Sequence, residues 1–221
     1  MNNQTTAPVA IPTGGKLVST AHHQWASRPA DERFSSVFDL AAHFRDRKAQ
    51  TKEVIKPFAD LRAEAVGCDV QLATAQGKAT LTHHSFGQLA STAGLSSSGL
   101  RASFEAFRST ADAAKWVADG INLGLSGRDG STNANLLLTK TVTDGVPGLQ
   151  VRSINTEQYT RVWDMELVQK ILLPLEEFGF VNPPAFDGPG GLYAGDRDMF
   201  ALMVPRNVRR INMSGVTCEL C

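Results

Sequence analysis

Apolar and polar positions follow two different periods along this chain, and the switches between them mark its elements. Val37, Leu40, Ala41 and Phe44 recur at spacing i, i+3, i+4, i+7, which puts them on one helical face. Ser36 opens that helix, with Asp39 three residues later as a capping-box partner. Arg45, Arg47 and Lys48 crowd its C-terminal end, where cations complement the helix dipole. Val70 and Leu72 then alternate with Gln71, Gln76-Gly77 supplies a turn, and residues 80–82 return, which predicts a short hairpin. Phe86, Leu89, Ala90 and Ala93 switch back to the helical period, with Gly94 as the stop. Ser96-Ser97-Ser98-Gly99 reads as a loop. Thr110 caps another helix, in which Ala113, Val117 and Ile121 recur every four residues before a glycine-rich stretch over 124–130.

The strongest strand signal follows. Residues 136–142 run apolar into Asp144-Gly145, and residues 148–154 return with Leu149 and Val151 alternating. Asp164 caps a helix carrying Leu167, Val168, Ile171, Leu172 and Leu175, which Pro174 is expected to kink or end. Residues 181–191 contain Pro183-Pro184 and Gly188-Pro189-Gly190-Gly191 and read as a loop. Leu192-Tyr193-Ala194, a turn at Gly195-Asp196-Arg197-Asp198, and residues 199–204 form a last hairpin. Hairpins interleaved with helices predict an α+β fold, a mostly antiparallel sheet with helices packed on it. The expected organisation is a flexible leader over 1–20, one α+β domain over 21–205, and a tail over 206–221.

Composition narrows the function classes. Lys plus Arg and Asp plus Glu are each 22, a formal net charge of zero, which argues against non-specific coating of duplex DNA while leaving local basic patches. Three cysteines in 221 residues are too few for a disulfide framework. Residues 1–15 lack the pattern of a signal peptide, and no window approaches the roughly 18 apolar residues of a membrane span, so a cytoplasmic protein without a membrane partner is expected.

Candidate chemistry is thin. Gly124, Gly127 and Gly130 imitate a phosphate cradle, but helix, glycines and strand come in the inverse order. In His22-His23 and His83-His84 adjacent side chains diverge, so neither pair chelates a metal. Cys218-Glu-Leu-Cys221 is half a zinc site with no second half nearby. Arg197 interrupts Asp196 and Asp198 and competes for both carboxylates. Ser85 sits in no nucleophile elbow. These residues call for no catalytic centre, metal or cofactor. Two basic clusters remain. Residues 44–62 hold six basic and three acidic side chains, Arg45, Arg47 and Lys48 among them, and read as a solvated helix end and connector or as a polyanion-contacting edge. Arg206, Arg209 and Arg210 form the second, an anion site if the fold brings them to Arg152, Arg161 and Arg197.

Four segments together carry a resemblance. They are Trp25-Ala-Ser-Arg-Pro-Ala-Asp-Glu-Arg-Phe34, Leu81-Thr-His-His-Ser-Phe-Gly-Gln-Leu-Ala90, Tyr159-Thr-Arg-Val-Trp-Asp164 and Gly191-Leu-Tyr-Ala-Gly-Asp-Arg-Asp-Met-Phe200. Their order over roughly residues 25–205 resembles the phage/plasmid-like family called domain of unknown function 932. The chain departs from that pattern at Ser96-Ser-Ser-Gly-Leu100, and at its end, where a short variant or a fragment of the family is expected. The family supplies no catalytic residues to carry over. The resemblance implies a role in the life of mobile DNA. Two functions are therefore expected: a non-enzymatic accessory protein of phage or plasmid DNA metabolism contacting single- or double-stranded DNA, or a protein-binding module that blocks a host defence factor. An enzyme acting on nucleotides would need polar groups converging around a pocket.

Overall fold

The computed structural model describes residues 23, 25–107, 110–143, 145–182, 184–185, 188–189, 191–195, 198–205, 209–213 and 216–220. They form an α+β fold in two compact units, Phe44–Trp163 and the combination of Met1–His43 with Asp164–Cys221. The division falls within the first helix, α1 (Val37–Ala49). Ser36 is its cap: its hydroxyl accepts from the Asp39 N–H at 3.0 Å and donates to the Asp39 carboxylate at 2.8 Å.

The unit Phe44–Trp163 is built on a six-stranded sheet of β1 (Thr51–Pro57), β2 (Arg62–Val66), β3 (Asp69–Thr74), β4 (Gly77–Leu81), β5 (Asn133–Thr143) and β6 (Val146–Thr156). The strand order is β1-β5-β6-β4-β3-β2. All neighbours are antiparallel except β4 and β6, which run parallel through Ala79–Leu149, Thr80–Gln150 and Leu81–Val151. The two edge strands are consecutive in the chain, joined by residues 58–61 alone. Five peptide steps reach at most about 18 Å, whereas the outer strands of a flat six-stranded sheet lie about 24 Å apart. The sheet is therefore curled, and its concave face holds the core. Leu72, Ala79, Leu136, Leu138 and Val151 point into that core from the strands.

Three helices fill the concavity: α2 (His83–Thr92), α3 (Ser97–Ala106) and α4 (Ala111–Ser126). They contribute Leu89 and Ala90, Leu100, and Val117, Ile121 and Leu125 respectively. Hydroxyls cap all three, with Thr82, Ser96 and Thr110 accepting from Ser85, Gly99 and Ala113. The expected serine loop is thus a helix start. Ser96 caps it, and Leu100 and Phe104 one turn apart supply its buried face. The expected glycine-rich ending is also shorter than the sequence implies, because α4 runs through Gly124 to Ser126. The stretch over 44–62, expected as a helix end and connector, contains β1, whose alternation is hidden because Val54 is its only side chain packed on the core.

In the other unit, Asp164–Leu167 (α5) leads through a π-helical turn, Val168–Leu172, into Leu173–Glu177 (α6). The Leu173 N–H reaches back to the Val168 carbonyl. The wide turn carries the helix past Pro174, where a kink or end is expected from sequence. The segment expected as a loop contains β7 (Phe180–Val181), β8 (Pro184–Ala185) and β9 (Gly188–Pro189), the last two paired with each other. Next come the predicted hairpin, β10 (Leu192–Ala194) with β11 (Met199–Ala201), and β12 (Val204–Pro205), which pairs with β7. A further hairpin joins β13 (Arg209–Met213) and β14 (Val216–Leu220). Arg28 fastens the first hairpin: its guanidinium lies 4.2 Å above the Tyr193 ring, pairs with Asp198, and reaches Glu32 at 3.5 Å. Among the described residues no helix is long and apolar enough to cross a membrane. The leader expected over 1–20 lies outside them.

Candidate nucleic-acid interface

After β6 and a turn at 157–158 the chain passes through Tyr159-Thr160-Arg161-Val162-Trp163 without regular structure, and an aromatic or cationic residue stands at every second position. Arg161 fixes this segment to the sheet. Its Nε donates to Glu53 Oε1 on β1 at 2.8 Å, and a terminal nitrogen donates to the Ser153 hydroxyl on β6 at 3.1 Å. The second Glu53 oxygen accepts from Asn135 Nδ2 on β5 at 3.2 Å. Ser153 also accepts from Asn155 at 3.4 Å, and Asn155 Oδ1 accepts from Gln88 at 2.9 Å. The network ties strands β1, β5 and β6 to α2. The Arg161 side chain is 14% exposed and that of Glu53 is 36% exposed, so solvent screens the pair from the Glu53 side. Asn135 is 5% exposed, and its Oδ1 has no hydrogen-bond partner.

Four side chains form a row beside this anchor. Lys48 Nζ is 5.1 Å from the centre of the Trp163 ring. Arg161 Cζ is 5.6 Å from the same ring and 5.9 Å from that of Tyr159. Cation and aromatic therefore alternate as Lys48, Trp163, Arg161, Tyr159. Tyr159 is 52% exposed, and Arg45, Lys48 and Lys52 are exposed as well. Aromatic rings next to fixed cations offer stacking surface and phosphate contacts together.

The residues expected from sequence to bind anions are distributed as follows. Arg45, Arg47, Lys48, Arg152 and Arg161 belong to the unit Phe44–Trp163, whereas Arg209 and Arg210 belong to the other. Lys48 and Arg161 share the aromatic row, and Arg161 is also bound to Glu53. Arg152 sits at a β-bulge, where Leu137 pairs with Ser153 and Leu138 with Val151. Arg209 and Arg210 lie on β13, opposite Leu220 and Glu219. Arg197 and Arg206 lie outside the described residues. Tyr159, Trp163 and Glu53 are not singled out as site residues by the sequence. The signal that points to them is the every-second-residue pattern of 159–163.

Of the other candidates, His22, Asp196 and Cys221 lie outside the described residues, and Ser85, His83 and His84 are placed as follows. The Ser85 hydroxyl is buried and donates to the Val151 carbonyl at 2.6 Å. His83 and His84 open α2, which Thr82 caps. Asp129 closes the loop after α4 by accepting from the Ser131 N–H and hydroxyl at 3.0 and 2.6 Å. Among the described residues no three His, Cys, Asp or Glu side chains gather as a metal cluster. Comparison with known proteins finds no family model, no curated protein and no solved structure that matches the chain.

Proposed function

We propose that this protein is a non-enzymatic accessory factor of phage or plasmid DNA metabolism that holds single-stranded nucleic acid on the Lys48–Trp163–Arg161–Tyr159 row. The alternation of cation and ring in that row is the observation that carries the reading. Unstacked bases lie on the Tyr159 and Trp163 faces, and Arg45 and Lys48 meet the phosphates. The resemblance to a phage/plasmid family supplies the setting. Zero net charge fits a small patch better than a duplex-coating surface.

About two phosphate contacts predict a slope of log affinity against log salt of about −1.4 for a single strand. Affinity should then fall about 7-fold between 50 and 200 mM salt. Anisotropy titrations with a labelled oligothymidylate and a duplex of equal length test this. Tighter binding of the single strand, with quenching of tryptophan fluorescence, is the expected result. No binding of the single strand at low salt, or binding untouched by Tyr159→Ala, would overturn it.

One observation favours a protein-binding module instead. Phe107 and Trp116 meet edge-to-face with ring centres 6.1 Å apart while both remain half exposed, and Leu123 lies two turns beyond Trp116 on α4. Exposed aromatics of this kind anchor protein partners. Stoichiometric recovery of one host protein by the wild type and not by Trp116→Ala would favour this reading.

A further inference from the structure

A cleft of about 190 Å³ opens between β3, β4 and the helices α2, α3 and α4. It lies among residues that have no part in the aromatic row. Val70, Leu81 and Val117 make its floor, and Phe86 and Phe104 make its walls. Asp69 and His83 are the exposed lining residues and mark the mouth, with the half-buried Arg101 beside them and Thr82 buried. Arg101 is held in place there: its guanidinium lies 5.1 Å over the Phe86 ring and donates to the His83 carbonyl. Asp69 turns one carboxylate oxygen onto the N–H of Val70 at 2.8 Å, so part of its charge is engaged by the backbone.

An aliphatic floor with two phenyl walls fits a flat apolar body, and the volume fits one ring or a fused pair. A guanidinium fixed at the mouth fits a carboxylate, which it binds with directional, charge-assisted hydrogen bonds. Pockets that combine apolar walls with a few placed polar groups are the usual form of a small-molecule site. We propose that this cleft binds a small aromatic carboxylate, with the ring between Phe86 and Phe104 and the carboxylate on Arg101. This site is independent of the nucleic-acid reading, and either stands if the other fails.

The test is a ¹H–¹⁵N NMR titration of the full chain with indole-3-acetate and, separately, with uncharged indole-3-acetamide. Amide shifts should move in residues 81–86, at Arg101 and Phe104, and at Val117. The acid should bind about tenfold more tightly than the amide. Arg101→Gln should abolish the preference for the acid over the amide. Phe104→Leu should weaken both. The spectrum of each variant without ligand shows whether it is folded, and the comparison of acid with amide on the wild type needs no variant. Absence of shifts at these residues up to about 10 mM acid, equal affinity for acid and amide, or shifts confined to another surface would each overturn the proposal.

Discussion

The side-chain amide of Asn122 binds both backbone groups of Ala63, accepting from its N–H and donating to its carbonyl at 2.8 Å each. Ala63 lies on β2, the outermost strand on its side of the sheet, and Asn122 lies on α4. The amide imitates a neighbouring strand at the one residue it covers. Asn122→Leu keeps the approximate volume and removes both bonds. Leaving the Ala63 groups unpaired beneath a helix should lower unfolding stability by about 2 kcal/mol, read from the urea midpoint at constant slope.

Gly124 shows a different dependence on close approach. A Cβ there would sit 2.0 Å from the Ala93 carbonyl oxygen and 2.8 Å from its carbon, contacts that only a backbone shift relieves. Ala improves helix propensity over Gly by about 1 kcal/mol, but overpacking against backbone outweighs it. Gly124→Ala should destabilise by about 2 kcal/mol net. Gly127, with ordinary αR dihedrals and no close neighbour, gives the contrast. Gly127→Ala should be neutral or stabilising by up to about 1 kcal/mol. Thermal melts of the two variants side by side check both.

These two residues show where the sequence was readable. The helix over 111–126 and the β5–β6 hairpin are legible because their core faces repeat without interruption. The strand over 51–57 is not, because only Val54 turns inward and charges occupy its neighbours. Gly124 and Asn122 look like a loop glycine and a surface amide, since their roles depend on Ala93 and Ala63, which the fold alone brings near. The candidate site divides similarly. Lys48 and Arg161 stand out as basic residues, whereas Glu53 and Trp163 become partners only when β1 lies beside β5.

Asp39 gives a pH dependence. Hydrogen bonds from the Ser35 and Ser36 hydroxyls hold its carboxyl below the ordinary carboxylate value. A depressed folded-state pKa contributes stability above the unfolded-state value, and that contribution is lost as pH falls through the folded one. Ser35→Ala removes the larger cause and should raise the Asp39 pKa. Carboxyl-resolved NMR titration checks the rise, and the acid limb of the stability curve should begin at higher pH.

Glu53 and Tyr159 separate anchoring from binding. Glu53→Gln leaves Arg161 without its counter-charge and should lower stability by about 1–2 kcal/mol. It also removes a negative charge next to the aromatic row, so oligothymidylate affinity at low salt should hold or rise. Tyr159→Ala should leave the melting temperature within a degree or two and weaken single-strand binding by about 1–3 kcal/mol. Denaturation and anisotropy on the same two variants check both halves.

The parallel junction of β4 with β6 has a consequence for how the molecule assembles. On one side of it, β2, β3 and β4 are consecutive in the chain. On the other, β5 and β6 form a tight hairpin that β1 joins. The β2–β3–β4 meander and the β5–β6 hairpin close short loops, but the junction brings residues 79–81 to 149–151 and the β1–β5 pairing brings 51–57 to 133–139, with all three packed helices lying between the partners in both cases. Loop-closure entropy places those steps after the local hairpins. The last turn of the lock is α2, whose Thr82 N–H and Ser85 hydroxyl both bind the Val151 carbonyl and whose Gln88 accepts from Ile154. Closing the sheet therefore takes two long-range pairings around the same three helices, and α2 fastens one of them.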